Sequence, residues 1–412
     1  MIPHDKQLFK FSAYGFLKNL RFFDPFIILF FRDCGISFFQ IGILFSIREI
    51  STTILEIPTG IFADSYGRKR AMIFSFLAYI ISFVLFFSFK KNEYFAIAMF
   101  LFAIGEAFRT GTHKAMILDY LRLKKIENLK VEYYGFTRSW SQKGSAISSL
   151  IAGAIVLYST EYRFVFLASI VPYLLVLFLM MSYPNELNGA VVRTNSWQNF
   201  PENIKNTTRN FLLIFKDKIL LKSLFNSAFF DGIFKATKDY IQPIITAFAI
   251  ALPFATRFQE KQHAIIIVAI VYFILFLFSA SLSKRTIRFR NVFKSLSKSL
   301  NGSFIFGMIF ITFSGIFFIL ELQFFSIIFF ILFFGMQNLR RPLSIAKISE
   351  NIPHNVMASG LSAESQLKTI TVAVLSPFIG FWADQFGIGI AIIILAIVGL
   401  MLFPIAKLND KK

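Results

Sequence analysis

The segment Gly60-Ile-Phe-Ala-Asp64-Ser-Tyr-Gly67-Arg68-Lys69-Arg70-Ala-Met-Ile73 is a short, strongly basic connection set between two long apolar runs. Its glycines, Gly60 and Gly67, would allow close helix approach and a tight turn. Asp64 is placed to accept hydrogen bonds from a helix N-terminus and from Arg68, an arrangement that would lock neighbouring helices in one of two states. A polar loop this short between runs this apolar is the pattern of a chain folded through a bilayer.

The rest of the chain agrees. Of 412 residues 56% are hydrophobic and only 16% charged, and apolar runs of about 20 residues recur without the polar positions that a soluble helix needs on its outer face. A net charge of +20 would suit a nucleic-acid binder by amount, but its distribution excludes one, because Lys and Arg gather in alternate short loops. The single cysteine, Cys34, excludes an internal disulfide framework and reads as a small helix-end residue. The first apolar run carries Lys10, Lys18, Arg21 and Asp24 and reads as a retained span, not a cleaved signal.

Twelve spans are expected at about 8–31, 39–63, 71–89, 95–121, 135–158, 164–182, 220–249, 263–283, 302–320, 323–345, 358–380 and 388–406. This divides the chain into a six-helix bundle over 1–183, a polar linker over 184–218 with an amphipathic character, and a second bundle over 219–412. Basic clusters such as Arg68–Arg70, Arg122 to Lys130, Lys284 to Lys298 and Lys407 to Lys412 predict that both termini are cytoplasmic in an inner membrane. The sequon at Asn206 falls on that inner side and reads as chance. The halves also repeat: GFTRSWSQKGSAISSLIAGAI from Gly135 overlays SGLSAESQLKTITVAVLSPFIG from Ser359, and Lys18, Arg21 and Asp24-Pro25 have counterparts in Lys235, Lys238 and Gln242-Pro243. Two related bundles can rock about a site that lies between them.

Gly60, Asp64, Gly67, Arg68 and Lys69 match the G-x-x-x-D-x-x-G-R-[KR] signature, and the chain therefore resembles the major facilitator superfamily of transporters. The preceding Glu56-Ile-Pro-Thr59, together with GEAFRTGTHKAMILDYL in the fourth span and GMQNLRRPLSIAKISENIP in the tenth, is similar to its bacterial efflux-type members. The antiporter motif of the fifth span is partly met, with Gly144 followed by Ser148-Ser149 and Ala152-Gly153 and without its proline. The resemblance implies an all-α fold of two pseudo-symmetric six-helix bundles, and a central cavity lined by the first, fourth, seventh and tenth helices.

Charges in mid-membrane are costly unless they face water or a partner. On the first span Tyr14, Lys18, Arg21 and Pro25 share one helix face, and on the seventh Asp231, Lys235, Lys238 and Gln242 repeat that spacing. The fourth adds Glu106, Arg109 and Lys114, the fifth Arg138 and Lys143, and the tenth Gln337, Asn338, Arg340 and Arg341. One-turn pairs such as Arg21–Asp24, Arg109–Glu106 and Lys235 with Asp231 or Asp239 would neutralise some of these. The cations outnumber the carboxylates, so the set predicts an anionic guest held by Lys18, Arg21, Arg109, Lys235, Lys238, Arg340 and Arg341 with Tyr14 and Gln242. Asp231, Glu106, Asp24, Glu49 and Glu364 are candidate proton carriers, with Asp231 and Glu106 foremost, although Glu49 beside Arg48 also reads as a structural pair.

No phosphate-binding glycine loop, HExxH, cysteine cluster or nucleophile elbow is present, so neither an enzyme, a metal site nor a cofactor is expected. The expected activity is secondary transport by a monomer, as proton-coupled export of a small organic anion, with a carboxylate siderophore as one example. Uptake of an organic anion or phosphorylated nutrient, efflux of amphipathic drugs or lysolipids past aromatic walls, and a non-transporting membrane receptor are the alternatives.

Overall fold

A computed structural model describes residues 5–188, 218–252, 260–283, 285–293, 295–351 and 357–409. Most of the expected 184–218 linker, with its amphipathic stretch and the sequon, lies outside the described residues.

The described chain is helical, with no strand. Its α-helices are α1 (Lys6–Lys18), α2 (Ile27–Asp33), α3 (Phe38–Tyr66), α4 (Arg68–Ser88), α5 (Asn92–Arg109), α6 (Thr112–Leu123), α7 (Lys130–Ser159) and α8 (Phe164–Met181), followed by α9 (Lys218–Thr237), α10 (Ile241–Ala251), α11 (Glu260–Ser283), α12 (Thr286–Phe293), α13 (Leu296–Ile319), α14 (Gln323–Asn351), α15 (Met357–Phe386) and α16 (Ile388–Ala406). Nine helices or helix pairs among the described residues are long and apolar enough to cross a membrane. The three other expected spans are α7, which is long but carries Arg138 and Lys143, and the first and seventh, each of which is broken. Large apolar side chains such as Val171, Phe178, Ile370, Val374, Phe378 and Met401 are exposed. That is the expected outer surface of a protein whose solvent is lipid.

The breaks have local causes. In the first span α1 stops at Lys18, Asn19 Nδ2 donates to the carbonyl of Gly15 at 2.7 Å, and a 3-10 turn at Asp24–Phe26 holds Pro25, which has no N–H to give. The seventh span repeats the device with a 3-10 turn at Lys238–Tyr240 just before Pro243. In the fourth span Gly111 takes a positive φ of 80°, while the hydroxyls of Thr110 and Thr112 donate to the carbonyls of Glu106 and Phe108 at 2.8 and 2.7 Å. Side chains thus take up the backbone groups that each break frees, which is the condition for irregular backbone at membrane depth.

The chain forms two compact units. The first gathers Met1–Cys34, Ile47–Asn199 and Val268–Phe276, and the second Gly35–Ser46, Phe200–Ile267 and Leu277–Lys412. In the first, α1 packs against α7 so closely that a Cβ on Gly144 would lie 2.4 Å from the carbonyl oxygen of Phe16. Its core is a set of interlocked rings in which Phe166 meets Phe30 and Phe86, each at 4.7 Å between centroids. In the second, α13 and α14 form the most extensive helix pair, and α9 packs on α15.

Candidate functional site

The breaks decide where charge can sit. In the first unit Arg21 lies in the gap of the first span, while Glu106 and Arg109 close the last turn of α5 just before the break at Gly111. Arg21 Nη2 lies 2.6 Å from Glu106 Oε1, and Arg109 Nη2 pairs with the other oxygen of the same carboxylate. Two guanidinium groups therefore share one carboxylate. Arg109 Nε also donates to the Tyr79 hydroxyl at 3.3 Å, and the Tyr173 hydroxyl donates to the Lys18 carbonyl at 3.4 Å. Tyr14 stacks on His113 with centroids 3.6 Å apart, and His113 Nε2 is 3.3 Å from the Tyr183 hydroxyl. Lys18, at the end of α1, has no carboxylate within ion-pair distance among the described residues.

This cluster is not sealed. The side chains of Arg21, Glu106 and Arg109 keep 20%, 17% and 22% of their exposure. The one-turn pair Arg109–Glu106 is as expected, whereas the Arg21–Glu106 contact joins residues 85 apart in sequence and was not foreseen. Tyr79 and Tyr173 were missed as well. Their signal in the sequence is a phenol in the middle of the largely apolar spans α4 and α8, each of which holds one tyrosine. A separate half-open groove of about 510 Å³ runs along α1 and α7 between Leu8, Phe16, Phe136 and Trp140, and it is almost wholly apolar. Lys143 lies at 4.5 Å from the Trp140 ring centroid, a cation–π contact.

In the second unit Asp231 accepts from Gln337 Nε2 at 3.0 Å, Lys238 Nζ pairs with Asp239 at 2.6 Å, and Ser227 donates to Glu364 at 3.0 Å. Lys235 is half-buried and Gln242 fully buried. Arg340 stands apart from the other candidate cations, with 0% exposure. Its guanidinium donates to the carbonyls of Leu300 and Asn226, to the Ser303 hydroxyl and to the Asn226 side chain, and lies 4.5 Å from the Phe230 ring centroid. In this arrangement the two Nη atoms of Arg340 tie α9, α13 and α14 together, while its buried Nε makes no hydrogen bond among the described residues. Its neighbour Arg341 is exposed. Glu49, buried in α3, pairs with Arg48 at 3.1 Å, the structural pairing anticipated for it.

The basic loop differs from its expected mechanics in two respects. Gly67 does make the turn, with φ 98°, and its missing side chain admits Asn188, whose Oδ1 accepts from the Lys69 N–H at 2.9 Å. Gly60, by contrast, has open space where a Cβ would stand, so it serves no close approach in this structure. Arg68, the first residue of α4, pairs with Asp119 of α6 instead of Asp64, from which the turn at Gly67 separates it. Asp64 is exposed. Lys69 Nζ donates to the Tyr183 carbonyl at 3.0 Å and completes the docking of the loop on the first unit. Among the described residues no group of His, Cys, Asp and Glu could hold a metal ion.

A polytopic helical membrane protein with interrupted spans and charged groups at the interruptions has the build of a solute transporter. The sequence profile described as Major Facilitator Superfamily matches residues 13–365, and the chain belongs to that family. Over 241 residues it is 27% identical to YxaM, an uncharacterised MFS-type transporter of Bacillus subtilis (strain 168). That match covers 57% of this chain and 58% of the relative, so it spans little more than half of either protein. Among solved structures the chain is similar to a point mutant of the nucleoside transporter NupG, with a TM-score of 0.77, 13% identity and coverage of 96% and 98% of the two chains. It is also similar to a D-xylose-proton symporter, with a TM-score of 0.70, 14% identity and coverage of 98% and 97%. These two likenesses show the shared fold.

Proposed function

We propose that the protein is a secondary transporter that exports a small organic anion by alternating access, in exchange for protons. The observation that carries this reading is the cluster in the first unit, where Arg21 and Arg109 share Glu106 and Lys18 makes no ion pair among the described residues. Three cations face two carboxylates, Glu106 and, in the same gap of the first span, Asp24, which leaves one positive charge in a poorly solvated place, and a bound anion offsets that charge. The partial exposure of the three side chains supports access from water.

Glu106 is the proton carrier in this scheme. Ionised, it holds both guanidinium groups; protonated, it releases them to the carboxylate of the guest. Proton and anion then compete for the same two arginines, which couples their movements without a further device. A carboxylate-bearing metabolite or siderophore fits such a fork, because guanidinium and carboxylate match bidentately. The efflux-like Glu56-Ile-Pro-Thr59 segment supports the outward direction.

The test is flux in proteoliposomes under an imposed pH gradient, with labelled citrate-like anions. Transport that vanishes in Arg21→Ala and Arg109→Ala supports the reading. Equal movement of neutral or cationic dyes by those variants would overturn the anion assignment.

A further inference from the structure

The loop motif has a second copy that carries no basic residues. Gly380-Phe-Trp-Ala383-Asp384-Gln-Phe386-Gly387 reproduces Gly60-Ile-Phe-Ala63-Asp64-Ser-Tyr66-Gly67 in both glycines, the Ala-Asp pair and the two aromatic positions. The backbone repeats as well. Each motif ends a long helix, α15 of 30 residues or α3 of 29, and each closes on a glycine of positive φ, 83° at Gly387 and 98° at Gly67, from which the next helix starts.

The two aspartates are in opposite states. Asp384 receives the N–H of Phe38 at 3.0 Å on one oxygen and that of Phe39 at 2.8 Å on the other, so it caps the first turn of α3. The start of α3 is otherwise self-sufficient, since the Ser37 hydroxyl accepts from the Gln40 N–H at 3.2 Å and Gln40 Oε1 accepts from the Ser37 N–H at 2.9 Å. That capping box provides for two of the orphan donors of the helix, and Asp384 provides for two more. Asp64 is exposed and has no hydrogen bond or ion pair among the described residues.

The helices also meet without side chains between them. A Cβ on Gly42 would lie 2.1 Å from the carbonyl oxygen of Ser376, one on Gly380 would lie 2.1 Å from that of Phe38, and Ser46 Oγ donates to the Ala373 carbonyl at 2.7 Å. We infer that Asp384 is a latch: with the glycine contact of α3 and α15 it holds the transporter shut at the end of the membrane where α3 begins, and its release opens that end. The bond is made for release. When Asp384 leaves, water takes the Phe38 and Phe39 donors, while Ser37 and Gln40 keep the helix start intact. The carboxylate gains from the positive end of α3 only while the two helices touch, so it stabilises the closed state alone.

This inference rests on the alternating-access reading but not on the proposed cargo, and it is tested without substrate. In full-length Cys34→Ser protein in lipid nanodiscs, spin labels on Ile43→Cys and Gln385→Cys, both exposed positions, report the separation of α3 and α15 by double electron–electron resonance. Asp384→Ala is expected to raise the ratio of long to short distances about tenfold. Gly380→Ala, which wedges the backbones apart and leaves the carboxylate in place, is expected to do the same. Asp64→Ala, at the other copy, is expected not to raise it. Unchanged distance distributions in Asp384→Ala overturn the latch, and if that variant does not fold, an unchanged distribution in Asp384→Asn does so. Loss of anion flux with normal distance shifts would instead count against the cargo reading.

Discussion

Arg21 on the first span and Glu106 on the fourth meet at 2.6 Å across 85 residues of chain, and the same carboxylate also pairs with Arg109. In the proposed scheme Glu106 thereby occupies the place that a substrate carboxylate would take. In that scheme the internal anion competes with the external one, and protonation removes the competition.

Glu106→Gln imitates the protonated state. It is expected to bind the anion at least about tenfold more tightly, the effect of roughly 1.4 kcal/mol, because the two guanidinium groups no longer have an ionic partner. Anion counterflow should persist, while accumulation driven by a pH gradient is lost. Both are read in proteoliposomes, and gradient-driven accumulation by Glu106→Gln would refute the role given to Glu106.

The membrane fold was legible because bilayer solvent writes itself into every apolar run, and because the loop at Gly60–Lys69 is distinctive in spacing as well as composition. The candidate cluster was legible in residue type, since Lys18, Arg21, Glu106 and Arg109 stand out as charges in apolar spans. Their pairing was not, because helix periodicity reports only neighbours on one helix and Arg21–Glu106 joins two. For the same reason Arg340 read as a cavity cation, although Asn226, Leu300 and Ser303 on other helices accept from both of its Nη atoms. Asp384 was passed over because Gly387 is followed by Ile388 and not by a basic run, so the second copy of the motif lacks the feature that marks the first.

Arg340 and Arg341 should separate cleanly in stability. Removing the Arg340 side chain takes a donor from buried acceptors on two helices, α9 and α13, at a cost of about 3 kcal/mol. Arg340→Ala should lower the melting temperature in detergent by several degrees and reduce the monodisperse yield. The exposed Arg341→Ala should lie within about 0.5 kcal/mol of the parent. An Arg340→Ala protein that melts like the parent would show that the cation is not a brace.

The two glycines of the basic loop should respond to alanine with opposite signs. Gly67 has φ 98° and a Cβ there would lie 2.4 Å from Asn188 Oδ1, so Gly67→Ala should cost about 1–3 kcal/mol. Gly60 sits inside α3 with open space around it, so Gly60→Ala should be neutral or stabilising by about 0.5–1 kcal/mol through helix propensity. Thermal melts of the two variants decide it. Equal destabilisation by both would mean that Gly60 faces a close contact after all.

Cys34 follows α2 at the end of the first span, and burial together with the neighbouring Asp33 pushes its thiol up to about 11 from 9.0. The direction favours the neutral thiol, and it is the thiolate that reacts with maleimides. At pH 7.5 the thiolate fraction is then about 100-fold below that of an ordinary cysteine, since the difference is two units on a logarithmic scale. Modification of the native protein by a small maleimide should accordingly be slow at neutral pH and rise about tenfold for each unit of pH, without levelling until near pH 11. A rate that already levels at pH 9 would mean that Cys34 is solvated like a free thiol. The loop between α2 and α3 would then be open to water at the very point where Asp384 is inferred to hold the start of α3 closed.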